Sequence, residues 1–264
     1  MRRTHVKTGP DAFGRPTVHW YHTFAFPDGE VTPGYYDLRE VPAKIDYPDV
    51  RGLRCLDVGS ANGFWAFELE RRGAAEVVSL DLEDPAAEDV PDLPGRGEAG
   101  PAGIAGTAFA VARERLGSNV QRVDASVYDL DPAVHGEFDV VFIGSLLLHL
   151  RDPIGALQRI HGVCRSHLIS LEPVSLAWSF APFPLATMSR LQVQQWWLPN
   201  RRAHRRMVEA AGFAIERSGS ARQPFGAGAP QMPVRKIRNR AQARFRLFDL
   251  TYGVPSQWLV ALKR

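Results

Sequence analysis

The chain has 264 residues, 45% hydrophobic and 23% charged, an ordinary globular balance with length enough for one large α/β domain and a sizeable core. A formal charge of +3 and a pI near 9.0 are only mildly basic and do not by themselves imply nucleic acid. No apolar run is long enough to span a membrane, Met1-Arg-Arg-Thr-His lacks the apolar core of a signal peptide, and Cys55 and Cys164 are too few and too separate for a disulfide framework or zinc site. The expectation is a cytoplasmic, monomer-sized protein with no membrane partner.

Residues 1–50 precede the first strand signal and are rich in aromatics, Pro and Gly. His19-Trp-Tyr-His-Thr-Phe-Ala-Phe26 alternates weakly and reads as a short strand before the turn Pro27-Asp-Gly29; Thr32-Pro-Gly-Tyr-Tyr-Asp-Leu-Arg39 adds an aromatic pair. Two readings stand: an arm packed over one sheet edge, or a lid carrying His22, Tyr35 and Tyr36 to a substrate. Either way, 1–50 is an arm and 51–264 the main domain.

Cys55–Val58 is a short apolar run of the buried-strand kind, and Gly59 begins a tight turn. Gly63-Phe-Trp-Ala-Phe-Glu-Leu-Glu-Arg-Arg-Gly73 has helical spacing with Gly73 as its stop. A glycine turn between strand and helix admits a ligand close to backbone, and the helix start points free N–H groups at it. The next strand, Val77-Val-Ser-Leu-Asp-Leu82, ends on Asp81, whose carboxylate can accept both hydroxyls of a ribose. The turn Gly59-Ser-Ala-Asn-Gly63 is not the dinucleotide fingerprint: Ala61 stands where a pyrophosphate needs glycine, and Asp57 would repel a diphosphate. An acid beside open backbone suits the ammonium end of an amino acid.

An acid, one residue, then Gly-x-x-x-Gly resembles motif I of the class I S-adenosylmethionine (SAM) methyltransferases, a glycine turn of some other α/β protein being the alternative. The resemblance implies an α/β fold, a Rossmann-like doubly wound sheet of seven strands with the last antiparallel. It implies SAM as cofactor and S-adenosylhomocysteine (SAH) as product, held by Asp57, Gly59, Ser60, Asn62, Gly63, Asp81 and Leu82.

Glu83 to Pro101 is a Pro-, Gly- and acid-rich connection, and 84–104 is expected to be a flexible loop, either disordered or a flap beside Asp81. Helical spacing resumes over Ala105–Leu116 and ends at Gly117; Val120–Ala125 reads as the third strand. By resemblance Ser126, Val127 and Tyr128 stand at the adenine, with Asp124 in reserve because the family often has Asp where Ser126 is. Phe138-Asp-Val-Val-Phe-Ile-Gly144 is a central parallel strand, fully apolar after its acid, followed by Ser145, His149 and Arg151. A helix over 154–164 leads to the fifth strand, His167–Pro173, with Glu172 at its tip. Strand–helix repeats give right-handed crossovers with ligands at the strands' C-terminal ends, which gathers Asp57, Gly59, Asp81, Ser126, Gly144, Ser145, His149 and Glu172. Residues 174–200 break the alternation with Trp178, Phe180, Phe183, Met188, Trp196 and Trp197, and read as a substrate cap. Asn200 and Gly212 cap an Arg-rich helix, Phe213 opens the sixth strand, and Ser256–Lys263 is the seventh, expected antiparallel at the sheet's end.

A narrower likeness rests on Trp20-Tyr-His-Thr23 with Thr32-Pro-Gly34, Leu147-Leu-His-Leu-Arg-Asp-Pro153, and Trp197-Leu-Pro-Asn200. These resemble relatives of the bacterial wobble-uridine tRNA carboxymethyltransferases. That family reads the extra carboxylate of carboxy-SAM with a tyrosine before the histidine and an arginine near the last strand, where this chain has Leu148 and Gln257. Plain SAM and methyl transfer are therefore expected.

SAM brings its own electrophile, so the protein must hold a nucleophile in line, exclude water and, for a hydroxyl or carbon acceptor, supply a base. Glu172 and His149 are the first candidates and His22 the third; Tyr35, Tyr36, Arg151, Trp178, Trp196 and Trp197 are expected at the acceptor. No acid pair or histidine cluster has metal-ligand spacing, so no metal is expected. Arg201, Arg202, Arg205 and Arg206, and the run Arg235, Lys236, Arg238, Arg240, Arg244, Arg246, read as solvated surface or as recognition of an anion, a phosphate-bearing metabolite or RNA. Phe245 and Phe248 give little to stack bases on. The expected function is methyl transfer to oxygen or carbon of a small molecule in specialised metabolism. The alternatives are an RNA methyltransferase and a SAM-binding accessory protein without turnover.

Overall fold

The computed structural model describes residues 18–84, 89, 102–188, 195–229 and 252–264, with the side chains of 102–105 left aside. Seven strands form one sheet: β1 (Arg54–Val58), β2 (Glu76–Asp81), β3 (Gln121–Asp124), β4 (Phe138–Gly144), β5 (Cys164–Pro173), β8 (Phe213–Gln223) and β9 (Val254–Lys263). Their order is β3-β2-β1-β4-β5-β9-β8, and β9 alone runs against the others, antiparallel to both β5 and β8. The fold is thus the expected doubly wound α/β sheet with its last strand reversed.

One position differs from expectation. β9 lies inside the sheet, between β5 and β8, and β8 takes the edge. Burial accounts for it: Ser256–Ala261 is one unbroken buried run, as a strand covered on both faces requires, whereas β8 alternates buried or half-buried with exposed positions over much of its length. The stretch 19–26 likewise forms no strand. Its strand-like pairing is limited to isolated bridges, His22 to Tyr36 and Ala25 to Val31, before the turn that Gly29 closes at φ +88°.

Helices cover both faces. α1 (Phe64–Arg71) and α2 (Ala102–Leu116) put Trp65, Phe67 and Phe109 on one face, where Phe24, Phe26 and Leu38 of the N-terminal arm join the same core. α4 (Pro153–Val163) and α5 (Arg201–Ala210) pack Leu157, Ile160 and Val208 on the other, with Phe213 of β8. α3 (Pro132–His135) is a single turn before β4, and β6 (Ala186–Met188) pairs with β7 (Trp197–Pro199) as a separate hairpin. Asn200 caps α5 by accepting from the Ala203 N–H at 2.8 Å, and Gly212 beyond the helix takes φ +102°. Strand order reverses between β1 and β4, so the crevice outside their C-terminal ends is where an open α/β sheet takes its ligand.

Candidate active site

The turn between β1 and α1 is built on backbone. Gly59, Ala61 and Gly63 all have positive φ, +71°, +49° and +86°. A Cβ on Gly59 would meet the Leu146 side chain at 2.7 Å, and one on Gly63 the Phe109 ring at 2.6 Å, so glycine is required at both. Ala61 tolerates αL because its N–H is held by Asp81 Oδ2, while Asp81 Oδ1 accepts the Leu82 N–H at 2.8 Å. Arg122 of β3 donates to the Ala61 carbonyl at 2.9 Å beneath the turn. An ionised carboxylate offers about four lone-pair directions; two of Asp81's are used, which leaves room for two hydroxyls.

Asp57 is 1% exposed and accepts the Ala66 N–H at 2.9 Å. Burial, against that hydrogen bond and with Asp81 nearby, pushes its carboxyl up to about 8. Ser60 is buried on Ser79, Oγ to Oγ 2.6 Å. Asn62 is fully buried; with its amide oriented to satisfy its neighbours, it donates to His22 Nδ1 at 2.8 Å and accepts the N–H groups of Tyr21 and His22 at 3.0 and 3.2 Å. Motif residue and arm are thereby tied together. Burial raises the Tyr21 pKa, with the charges of Tyr35 and Asp81 adding to it; Tyr35 stacks on Tyr21 and Tyr36 meets it edge-on, and Phe225 packs on both of those rings. His22 is buried and held neutral, its pKa lowered to about 4 by desolvation.

Beyond β3, Ser126 caps a 3₁₀ turn, Val127–Asp129, its Oγ accepting the Tyr128 N–H at 3.3 Å, and Val127 is buried. Gly144 ends β4 under Trp65 and Phe142, and Ser145 takes φ +54°. Two contacts stabilise that strained residue: its N–H reaches the Leu171 carbonyl at 2.8 Å, and its hydroxyl pairs with the Gln223 amide at 2.8 and 3.1 Å. Glu172 lies directly behind. It is 1% exposed, its Oε1 accepts the N–H groups of Leu146 and Leu147 at 3.2 Å each, and burial pushes its pKa up to about 8. A void of about 10 Å³ separates it from His204 and Met207. The half-buried His149 closes the 3₁₀ turn Leu147–His149.

The expected acceptor residues divide. Tyr35 and Tyr36 sit with Tyr21 on the motif turn. Arg151 and Trp196 gather instead around Asp89, which accepts from Tyr128 Oη at 2.9 Å and from the Arg151 N–H at 2.7 Å, while its carbonyl accepts from Trp196 Nε1 at 2.6 Å. Trp197 donates to the Arg151 carbonyl at 3.4 Å, and Trp178, beyond β5, is half exposed. Asp89, Gln223 and Arg122 escape sequence reading because their partners are 62, 78 and 61 residues away. The run 235–246 and most of loop 84–104 lie outside the described residues.

Residues 56–167 match a family model described as "Methyltransferase domain", a segment running from β1 into β5. Among curated proteins, a ubiquinone biosynthesis O-methyltransferase of Neisseria meningitidis is 31% identical over 121 residues, 44% of this chain and 43% of that protein. The chain spans less than half the length of the curated relatives it matches. A solved S-adenosylmethionine dependent methyltransferase from Mesorhizobium loti, 16% identical, covers 85% of this chain and 97% of its own with a TM-score of 0.50. The [4+2]-cyclase SpnF, 18% identical, covers 81% and 76% with a TM-score of 0.56. Residues 56–167 are thus similar to a methyltransferase domain, and over the 81–85% of the chain that these solved structures cover the fold is that of the class I methyltransferases. Among the described residues no helix is long and apolar enough to cross a membrane.

Proposed function

We propose that the chain is a SAM-dependent methyltransferase acting on a small molecule at oxygen or carbon. The observation that carries this reading is the pair of buried carboxylates on the β1–β2 rim: Asp81 with two lone-pair directions left, and Asp57 beside the positive-φ turn. These fit the two ends of SAM, Asp81 the ribose and Asp57 the ammonium, with Gly59, Ser60, Asn62 and Gly63 shaping the cradle between. On this reading Leu82, Ser126 and Val127 take the adenine and Gly144 with Ser145 the methionine portion. Bound there, SAM supplies a methyl group on a sulfonium sulfur. The chain's own part is to orient an acceptor and exclude water, and the Asn62-tied arm with Tyr21, His22, Tyr35 and Tyr36 supplies that cover.

Plain SAM is favoured over carboxy-SAM. Leu148 is a buried hydrocarbon, and Gln257, equally buried, lies 3.2 Å from His204 Nδ1. Neither side chain offers a cation to a carboxylate, which also draws the chain away from tRNA carboxymethylation. Fold alone does not fix the reaction, since a [4+2]-cyclase shares it; the carboxylate pair is what speaks for SAM.

Calorimetry tests it. Wild type should bind SAH, and Asp81→Asn, which keeps shape and loses charge, should bind it about tenfold or more weakly, as loss of charged hydrogen bonds predicts. Equal affinity in the two proteins, or none in wild type, refutes the reading.

A further inference from the structure

A second concavity opens on the same rim at the far side of β5. It is a groove of about 410 Å³ between the arm, the start of α5 and the β8–β9 pair. Its floor is apolar: Val41, Leu176, Ala221, Pro224 and Pro255. Its charged residues are Lys44, Arg201, Arg222 and Glu40, three cations against one carboxylate. Arg222 donates to the Gly253 carbonyl at 2.8 Å and is fixed in place. Lys44 and Arg201 are exposed and make no side-chain ion pair or hydrogen bond among the described residues. Two cations aimed at a mostly apolar groove, on separate elements, make a place for one negative group on an otherwise apolar body.

The groove also touches the cofactor side. Ser256 lines it, and Gln223 Nε2 donates to Ser256 Oγ and to Ser145 Oγ, both at 2.8 Å. One buried side chain thus separates the groove wall from Ser145, the strained residue just after β4.

We propose that this groove anchors the acceptor through an anionic group, a carboxylate or phosphate held by Lys44 and Arg201, with the apolar body lying toward Ser256. This rests on the methyl-transfer reading for the word acceptor; the anion site itself does not. The volume falls in the range of small-molecule pockets, about 300–1,000 Å³. RNA would ask for an extended cationic track and stacking aromatics. Of the four arginines on α5 only Arg201 lines the groove: Arg205 turns to Ser218 at 3.3 Å, Arg206 to Glu209 at 3.9 Å, and Arg202 is not in its wall.

Phenyl phosphate is a suitable probe, with benzyl alcohol as its neutral counterpart, each titrated into the full chain with SAH affinity measured in parallel. Wild type should bind phenyl phosphate at millimolar concentrations and ignore benzyl alcohol. Lys44→Ala with Arg201→Ala should weaken phenyl phosphate about tenfold or more, through loss of two charge-assisted contacts. The exchange Lys44→Arg with Arg201→Lys should retain most of the affinity, and SAH should bind all three proteins alike. Phenyl phosphate that fails to bind wild type, or binds the double-alanine protein equally, overturns the proposal. So does a single-stranded RNA oligomer that depends on the same two residues and binds more tightly than phenyl phosphate. If wild type takes phenyl phosphate but not SAH, the cofactor reading and the acceptor role fall together, and the anion site remains.

Discussion

The two halves of the sheet's C-terminal rim are built on different principles. On the β1–β2 side, Asp57, Ser60 and Asn62 are at most 1% exposed, and the turn depends on three positive-φ residues and on backbone hydrogen bonds. On the β5–β9–β8 side, the groove is open, lined by exposed Lys44 and Arg201 over an apolar floor, and the stretch after β5 leaves Phe180 91% exposed. The first half is preorganised for a single shape, because backbone conformation and buried carboxylates cannot adjust cheaply. The second meets its ligand with long side chains that can adjust. Substitutions should therefore act as steps on one side and as gradients on the other.

The sharpest break in that contrast is Gly63→Ala. The new Cβ would sit 2.6 Å from the Phe109 ring and 2.8 Å from that of Phe67, at φ +86°. Left-handed strain of about 1–2 kcal/mol and overpacking of about 1–3 kcal/mol together predict roughly 2–5 kcal/mol of lost stability, with SAH binding gone. On the groove wall, Ser220→Ala should stay within about 0.5 kcal/mol. Chemical denaturation of the two variants decides it: similar losses would mean that the rim is uniformly rigid.

Titration is the second difference. Asp57 and Glu172 are pushed up to about 8 from ordinary values of 3.8 and 4.5, so each stabilises the fold below its unfolded value and loses that contribution as pH rises through its folded one. His22 and His204, lowered to about 4 from 6.5, act the other way: their contribution is present above 6.5 and is lost as pH falls toward 4. Between about 4.5 and 6.5 the two pairs oppose each other. From about 6.5 to 8 the two acids act without that opposition, and the thermal midpoint of the ligand-free protein should fall as pH rises. Asp57→Asn should remove part of that slope, the rest staying with Glu172 and with Asp81, whose carboxyl burial also raises, and SAH binding near neutral pH should release a proton as its ammonium draws Asp57 into the ionised form. A slope unchanged by Asp57→Asn would place the titration elsewhere.

How much of this the sequence discloses follows from the same contrast. Gly59, Gly63, Asp57 and Asp81 are legible because local geometry demands those residue types within one strand–turn–helix, and helix caps such as Asn200 are legible for the same reason. The interior place of β9 is missed by the expectation that puts it at the sheet's end, although Trp258 to Ala261 is apolar without alternation, the mark of a strand covered on both faces. Other features leave no local mark. Asn62 tying down the arm, Asp89 joining Tyr128 to Arg151, and Gln223 bridging Ser145 to Ser256 are contacts across the fold, and any polar residue looks alike until its partner is known. The groove is the extreme case, its cations drawn from three separate elements.

Glu172 stands at the seam between the halves and separates two roles that its place in the sequence leaves open. A carboxylate at the tip of β5 reads as a general base, yet its Oε1 holds the Leu146 and Leu147 N–H groups from behind, so it supports the turn after β4 that carries strained Ser145. With its pKa near 8 it is protonated at neutral pH, and a protonated carboxyl is nearly matched in shape and acceptor capacity by an amide. Glu172→Gln should therefore change SAH affinity by no more than about twofold, a shift below 0.5 kcal/mol. Glu172→Ala leaves both N–H groups without their partner and should cost about 2–4 kcal/mol of stability, with weaker SAH binding. A base predicts the opposite pattern: Gln and Ala alike would leave SAH affinity intact and abolish methyl transfer to whatever acceptor the groove selects. The SAH isotherms and unfolding curves of the two variants, measured side by side, tell a support from a base without the acceptor having to be known.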